Sequence, residues 1–313
     1  MKREREHQVT GRDRWAVGGM FFVNGFMMGG WVPQIPLLLP RHGIGEAVLG
    51  LLILGLGIGA VGAMLFSGRL IARWGATTCQ SAFALALLPM LPLVVSAPSI
   101  WLLAILMALF GAVIGTMDVA MNAQAVAVER HLGRAIMSSS HGFWSLGGFC
   151  GAALGGALIA RLGSERAALV IAAIAAVVVL TAIRNTTPAP TPPRTTGPRE
   201  ALLPRDARLW VLGLMTLFAM VPEGAVLDWG ALYLTRDLGV GVQGSGLAFA
   251  FFAGTMAVVR FMGDAIRSRF GAVATLRASG AIGAAGLLGA ALSPTPGLAV
   301  GFFAISGLGV ANM

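Results

Sequence analysis

The chain is 313 residues long, 57% hydrophobic and only 11% charged, with a mean hydropathy of +0.82. A soluble domain carries about 25% charged residues, so the composition excludes a soluble globular protein and indicates an integral membrane one. The formal net charge of +9 could suggest a polyanion-binding protein, but its placement along the chain argues against nucleic acid as a partner.

In chain order, the apolar segments predict ten spans, since about 20 residues cross the hydrocarbon core as a helix. They do not alternate as barrel strands would, so the expected fold is all-α. The first span, roughly 15–38, follows a basic run. It is too long for a signal peptide and has no small-residue cleavage site, so it reads as uncleaved. It carries Asn24 and, near its outer end, Gln34 between Pro33 and Pro36, where the prolines break the helix. Both side chains are candidates to line a substrate cavity. Spans two and three cover 46–67 and 77–97. Span four, 99–123, holds Asp118 and Asn122 four residues apart, on one helix face. Gly111 and Gly115 continue that stripe as small residues that allow close helix approach.

Span five, 136–160, opens with Ser138-Ser139-Ser140-His141 and carries Trp144 on the same face. A histidine titrates near physiological pH and suits proton handling. The glycines at 147, 148, 151, 155 and 156 read as helix packing. Span six covers 167–183. Residues 184–208, rich in Pro, Thr and Arg, form a cytoplasmic linker between residues 1–183 and 209–313. Span seven, 209–234, carries Glu223 between Pro222 and Gly224, a pair expected to break the helix locally. It also carries Asp228 and Trp229, with Tyr233 four residues beyond. Spans eight to ten cover 243–262, 274–293 and 297–313.

A carboxylate at a helix centre costs about 2.5–3.5 kcal/mol to insert. Intramembrane ionisable residues are therefore functional suspects, each weighed against a simple hydrogen bond to a neighbouring helix. Glu223, Asp118 and His141 are the proton-coupling candidates. Asn24, Gln34, Asn122, Trp144, Asp228 and Trp229 are the cavity candidates. Cys79 and Cys150 both fall inside spans, and no metal-ligand spacing exists. Neither a phosphate-binding loop nor a hydrolytic triad is evident. The expectation is no enzyme, no catalytic residue, no metal, no cofactor and no nucleotide.

With the N-terminus cytoplasmic, every basic residue falls on the cytoplasmic side except Arg41, Arg161, Arg166 and Arg236. This positive-inside bias points to a plasma (inner) membrane protein whose charge orients it in the bilayer. Residues 43–76 and 239–272 also align without a gap. Gly43, Gly45, Gly50-Leu51, Arg73 and Gly75-Ala76 match Gly239, Gly241, Gly246-Leu247, Arg269 and Gly271-Ala272. Both copies follow an even-numbered span and face the same side, which predicts parallel rather than inverted repeats.

The loop after span two, Gly68-Arg69-Leu70-Ile71-Ala72-Arg73-Trp74-Gly75, resembles the G-x-x-x-D-R/K-x-G loop of the major facilitator superfamily. Its second copy reads Gly263-Asp264 through Arg269-Phe270-Gly271. The Gly111…Gly115…Asp118…Asn122 series and Glu223-Gly224…Asp228-Trp229 resemble in particular the fucose-permease-like branch. The resemblance implies two parallel six-helix repeats, a twelve-span plan of which about ten spans are present, so that the chain reads as C-terminally incomplete. It further implies a cytoplasmic gate at Gly68, Arg73, Gly75, Asp264, Arg269 and Gly271. Ala72 stands where the family has its acid, which sets a standard gate in the first half in question. The expected function is secondary transport of a small solute by alternating access, coupled to protons. Efflux of hydrophobic compounds by the same fold, or a truncated non-transporting membrane protein, are the alternatives.

Overall fold

The computed structural model describes residues 11–187 and 206–311, with the side chain of Asp264 also outside the described set. The basic N-terminal run and most of the predicted linker therefore lie outside the described residues. Among the described residues there are helices and no strands. They are α1 (Gly11–Trp31), α2 (Ile35–His42), α3 (Glu46–Trp74), α4 (Ala76–Leu87), α5 (Met90–Val95) and α6 (Ile100–Leu132), then α7 (Met137–Leu162), α8 (Ser164–Asn185), α9 (Ala207–Arg236), α10 (Leu247–Phe270), α11 (Ala272–Ala291) and α12 (Pro296–Val310). Eight helical segments are long and apolar enough to cross a membrane, against the ten spans expected. The other two expected spans correspond to α1–α2 and to the shorter apolar α12.

Local chemistry sets the boundaries. Pro33 and Pro36 bracket a 3₁₀ turn, Val32–Gln34, that separates α1 from α2, as the proline pair predicts. Pro222 behaves differently. The expected break at Pro222–Gly224 is absent, and α9 runs through it without interruption. Proline removes one backbone donor, and membrane helices tolerate that where neighbours satisfy the freed carbonyl. Ser99 caps α6 by accepting a bond from the Leu102 amide.

The sequence repeat is also a conformational one. Gly75 and Gly271 end α3 and α10 with φ of 82° and 78°, and Gly43 and Gly239 precede those helices with φ of 62° and 67°. An L side chain is strained there, so the matched glycines are required by the backbone. The correspondence extends past the aligned window. A Cβ on Gly111 of α6 would run into the carbonyl oxygen of Leu56 in α3, and one on Gly307 of α12 into that of Phe252 in α10. Both pairs sit at the same sequence offset. So do the contact of Gly59 with the Ala108 carbonyl and the bond from the Thr255 hydroxyl to the Ala304 carbonyl.

In the first half α1 lies along α7 and α8, and α3 and α4 lie along α6. In the second, α10 and α11 pack on α12. The halves meet chiefly where α10 lies on α7. Glycine makes the joints close, as expected for the span-five series. Gly147 and Gly151 face the α1 carbonyls of Phe22 and Phe26, while Gly156 meets the Gln243 carbonyl across the seam. On α3 and α9, by contrast, long apolar faces stay exposed, including Leu51, Ile58 and Leu65 on α3 and Leu214 and Phe218 on α9.

Candidate functional site: a charged bridge between the halves

The two ends of the bundle differ. At the end where α2 joins α8, Arg41 pairs with Glu165 at 2.8 Å, and Gln34 exchanges bonds with the Ser164 hydroxyl and carbonyl. There the halves are pressed together, with Gly246 against the Ala152 carbonyl. At the opposite end a cavity of about 700 Å³ opens between the halves, lined by Glu129, Ser138, His141, Thr216, Arg260 and Arg267 among others.

At the inner end of this cavity lies a polar cluster. Glu223 of α9 accepts from the Arg260 guanidinium of α10 at 3.2 Å, and the two side chains are only 16% and 15% exposed. The same guanidinium donates to the Ser145 hydroxyl of α7 at 2.7 Å. Two turns of α7 toward the cavity mouth, the Ser138 hydroxyl donates to the Arg260 carbonyl at 2.6 Å. Arg260 therefore ties a carboxylate of its own half to a helix of the other. Asp118 lies within electrostatic reach of Glu223, and His141 within reach of Arg260. His141 also stacks edge-on against Phe21 at 5.2 Å. Of the three proton-coupling candidates Glu223 is in the bridge, His141 lines the same cavity as Arg260, and Asp118 lies in the electrostatic neighbourhood of Glu223.

Arg260 and Ser145 were not among the expected site residues. Arg260 counts among the basic residues of the cytoplasmic side although it falls within span eight, 243–262; α10 continues past it to Phe270, and its side chain is only 15% exposed. A signal was present. The ungapped repeat sets Arg260 opposite apolar Met64, inside the span of the first copy.

The cavity candidates are scattered. The Asn24 amide donates to the Ile114 carbonyl at 3.3 Å and accepts from the Trp144 indole at 2.8 Å, which makes it a clamp joining α1, α6 and α7. Replacing Asn24 by Leu would strand the Trp144 donor and is expected to cost about 1–3 kcal/mol, readable as a lower unfolding temperature in detergent. Gln34 is spent on Ser164 at the closed end. Asn122 bonds back to the Asp118 carbonyl at 2.9 Å. Asp228 lies away from the bridge, nearer the closed end, and Trp229 reaches across to Gly50 of α3. Tyr233, one turn further on, is not a free anchor, because its hydroxyl donates to the Ala290 carbonyl at 2.8 Å. At the expected gate, Gly75 and Gly271 form matching turns, and the Arg269 guanidinium lies over the Phe270 ring at 5.6 Å. No Cβ clash restricts Gly68, and the side chain of Asp264 lies outside the described residues.

Residues 17–313 match the Major Facilitator Superfamily. The chain belongs to that superfamily. An MFS-type transporter of Yersinia pestis is 35% identical over 299 residues, covering 94% of this chain and 76% of that protein. The transporter y4wD of Sinorhizobium fredii is 33% identical and covers 94% and 78%. Membrane protein MosC of Rhizobium meliloti is 29% identical and covers 95% and 72%. Among solved structures, the nucleoside transporter NupG superposes with a TM-score of 0.68 at 15% identity, covering 97% of this chain and 80% of that one. A bacterial homolog of the human lysosomal transporter Spinster, inward-facing and unoccupied, gives 0.65 at 17%, covering 96% and 72%. As a superfamily member the chain is a multi-pass integral membrane protein of the transporter fold, and a small-molecule substrate and a bilayer are its partners.

Proposed function

We propose that this superfamily member is a proton-coupled secondary transporter for a small polar solute, working by alternating access between residues 1–183 and 209–313. The observation that carries the reading is the Glu223–Arg260–Ser145 bridge beside the cavity between the halves. A proton on Glu223 removes the charge that holds Arg260, and the guanidinium also grips α7. Protonation therefore weakens a contact between the halves at the inner end of the cavity. Asp118 and His141, within reach of the bridge, are the second proton acceptors. The charged side chains of Glu129, Arg260 and Arg267 within an otherwise largely apolar lining support a polar or amphipathic solute over a purely hydrophobic one.

In this reading the twelve-span plan of the fucose-permease-like branch holds, and both α1–α2 and α12 also cross the bilayer. The positive-inside bias puts the N-terminus and the cavity mouth at the cytoplasmic face of the inner membrane. The segments from Gly68 to Gly75 and from Gly263 to Gly271, which are the last turns of α3 and α10 and not the expected loops, then flank that mouth, where Arg73 and Arg269 would act at the gate.

The test is uptake into proteoliposomes of a labelled panel of nucleosides, hexoses and small amines, with and without an inward-directed proton gradient. For a solute that is taken up, Glu223→Gln is expected to retain solute exchange while gradient-driven accumulation falls by roughly 5–150-fold, the usual span of a coupling free energy. Unchanged gradient dependence in that variant would remove Glu223 from the mechanism.

A further inference from the structure

We propose that the solute of the cavity between the halves is a monovalent organic anion, a carboxylate on an apolar body, and that its carboxylate takes the place of Glu223 on Arg260. This rests on the proton-coupled reading and adds to it the charge of the solute. Arg260 is bonded to a single counterion. Its guanidinium donates to Glu223 at 3.2 Å and to the uncharged Ser145 hydroxyl at 2.7 Å. Once Glu223 carries a proton, the guanidinium keeps its charge although its side chain is only 15% exposed. A shielded charge left without its partner is strongly unfavourable. Proton entry therefore calls for a second anion at Arg260, and a solute that brings one is bound together with the proton.

Donors for it are at hand. A guanidinium carries its N–H donors in a planar fork. Arg260 uses two of them, and the rest meet no acceptor among the described residues. The side chain lines the cavity, so a ligand there can reach them. His141 lines the same cavity, and its ring has no hydrogen-bond partner among the described residues. It offers an N–H in either protonation state. The surrounding charges leave the place open. Glu129, the acid of the lining, accepts from the Ile136 and Met137 amides at 2.8 and 3.1 Å, which holds it at the start of α7. Asp118 of α6 lies within electrostatic reach of Glu223 but makes no bond to the Arg260 guanidinium. Arg267 is already engaged and adds positive potential. α12 carries no charged side chain, and Arg277 of α11 is exposed. Ala135, Met137 and Leu276 supply apolar wall for the body of the solute. The volume of about 700 Å³ falls within the roughly 300–1,000 Å³ of ligand pockets.

A proton and a monovalent anion entering together move no net charge, whereas the same proton with a neutral solute moves one positive charge. The experiment is titration calorimetry on the full chain in mild detergent. The probes are benzoate, its neutral isostere benzamide and the cation benzylamine. The wild type is expected to bind benzoate over the other two and to take up a proton from the buffer as it does so. Glu223→Gln, a permanently uncharged form, is expected to bind benzoate at least about five-fold more tightly, the lower edge of a coupling free energy, and to take up no proton. Arg260→Leu/Glu223→Leu, which leaves neither charge unpaired, is expected to lose the preference for benzoate. Absent benzoate binding, or equal binding of benzamide or benzylamine, would overturn the proposal. So would unchanged benzoate affinity in Glu223→Gln, which would make Asp118 the replacement counterion, and so would displacement of benzoate by an equal concentration of chloride. Proteoliposomes separate this proposal from the reading beneath it. Hexose uptake driven by a proton gradient would leave proton coupling standing and remove the anion. Benzoate binding without proton uptake or gradient-driven transport would remove the coupling itself.

Discussion

Arg260→Leu is expected to destabilise the protein by about 3–5 kcal/mol, and the double variant Arg260→Leu/Glu223→Leu to recover most of that loss. Breaking a buried ion pair from one side leaves an uncompensated charge, whereas replacing both partners by apolar groups of similar size is often neutral. Neither side chain is more than 16% exposed, yet Arg260 lines the cavity, so the pair is part-buried and the loss falls at the lower end of that range. Arg260→Leu also strips the Ser145 hydroxyl of its cross-half donor. Arg260→Lys should fall between the two. A single ammonium keeps the charge, but it lacks the planar fork that reaches Glu223 and Ser145 at once. Thermal unfolding in detergent reads all three variants. If the single and double variants lost the same stability, Arg260 would be acting through packing and not through its charge. The same series separates stability from transport. The double variant is expected to be well folded yet uncoupled, because a bridge without a titratable group cannot answer to a proton.

Much of this fold was legible in the sequence because a membrane protein repeats its solutions. The paired glycines Gly75 and Gly271 carry the same left-handed backbone, which is why they survive in both copies. The apolar spans follow from composition alone. The convergence of Glu223, Asp118 and His141 was anticipated only as a set of suspects, since hydropathy says that a charge is costly but not what it faces. Arg260 escaped because it lies two residues from the cytoplasmic end of span eight, where a basic residue reads as an orienting charge, while the helix runs on for ten more residues to Phe270. Asn24 and Trp144 are both cavity candidates in the sequence, Asn24 as a polar group inside a span and Trp144 for the helix face it shares with His141. Their bond to each other joins residues 120 positions apart, which no local pattern contains. The continuity of α9 through Pro222 likewise depends on what surrounds it, not on the proline itself.

Gly59→Ala and Gly111→Ala are expected to disrupt the first half, whereas Gly57→Ala and Gly62→Ala, on the same helix as Gly59, are expected to be neutral or stabilising. At Gly59 the added methyl would fall on the carbonyl oxygen of Ala108, and at Gly111 on that of Leu56. Both obstacles are backbone, which cannot swing aside, so α3 and α6 must move apart along their whole contact. Overpacking of this kind costs about 1–3 kcal/mol and sometimes more. Gly57 and Gly62 have nothing within 4 Å of the new atom, and Ala is favoured over Gly in a helix by about 1 kcal/mol. One methyl group therefore changes sign with a shift of two positions along α3, a pattern that a general loss of helix flexibility would not produce. Gly307→Ala extends the test to the second half, because it clashes with the Phe252 carbonyl at the equivalent place. If the halves are built on one plan, unfolding temperatures should fall together for Gly111→Ala and Gly307→Ala. A tolerated Gly307→Ala beside a disruptive Gly111→Ala would mean that α10 and α12 can separate without loss, and that the packing repeat does not extend to the stability of the second half.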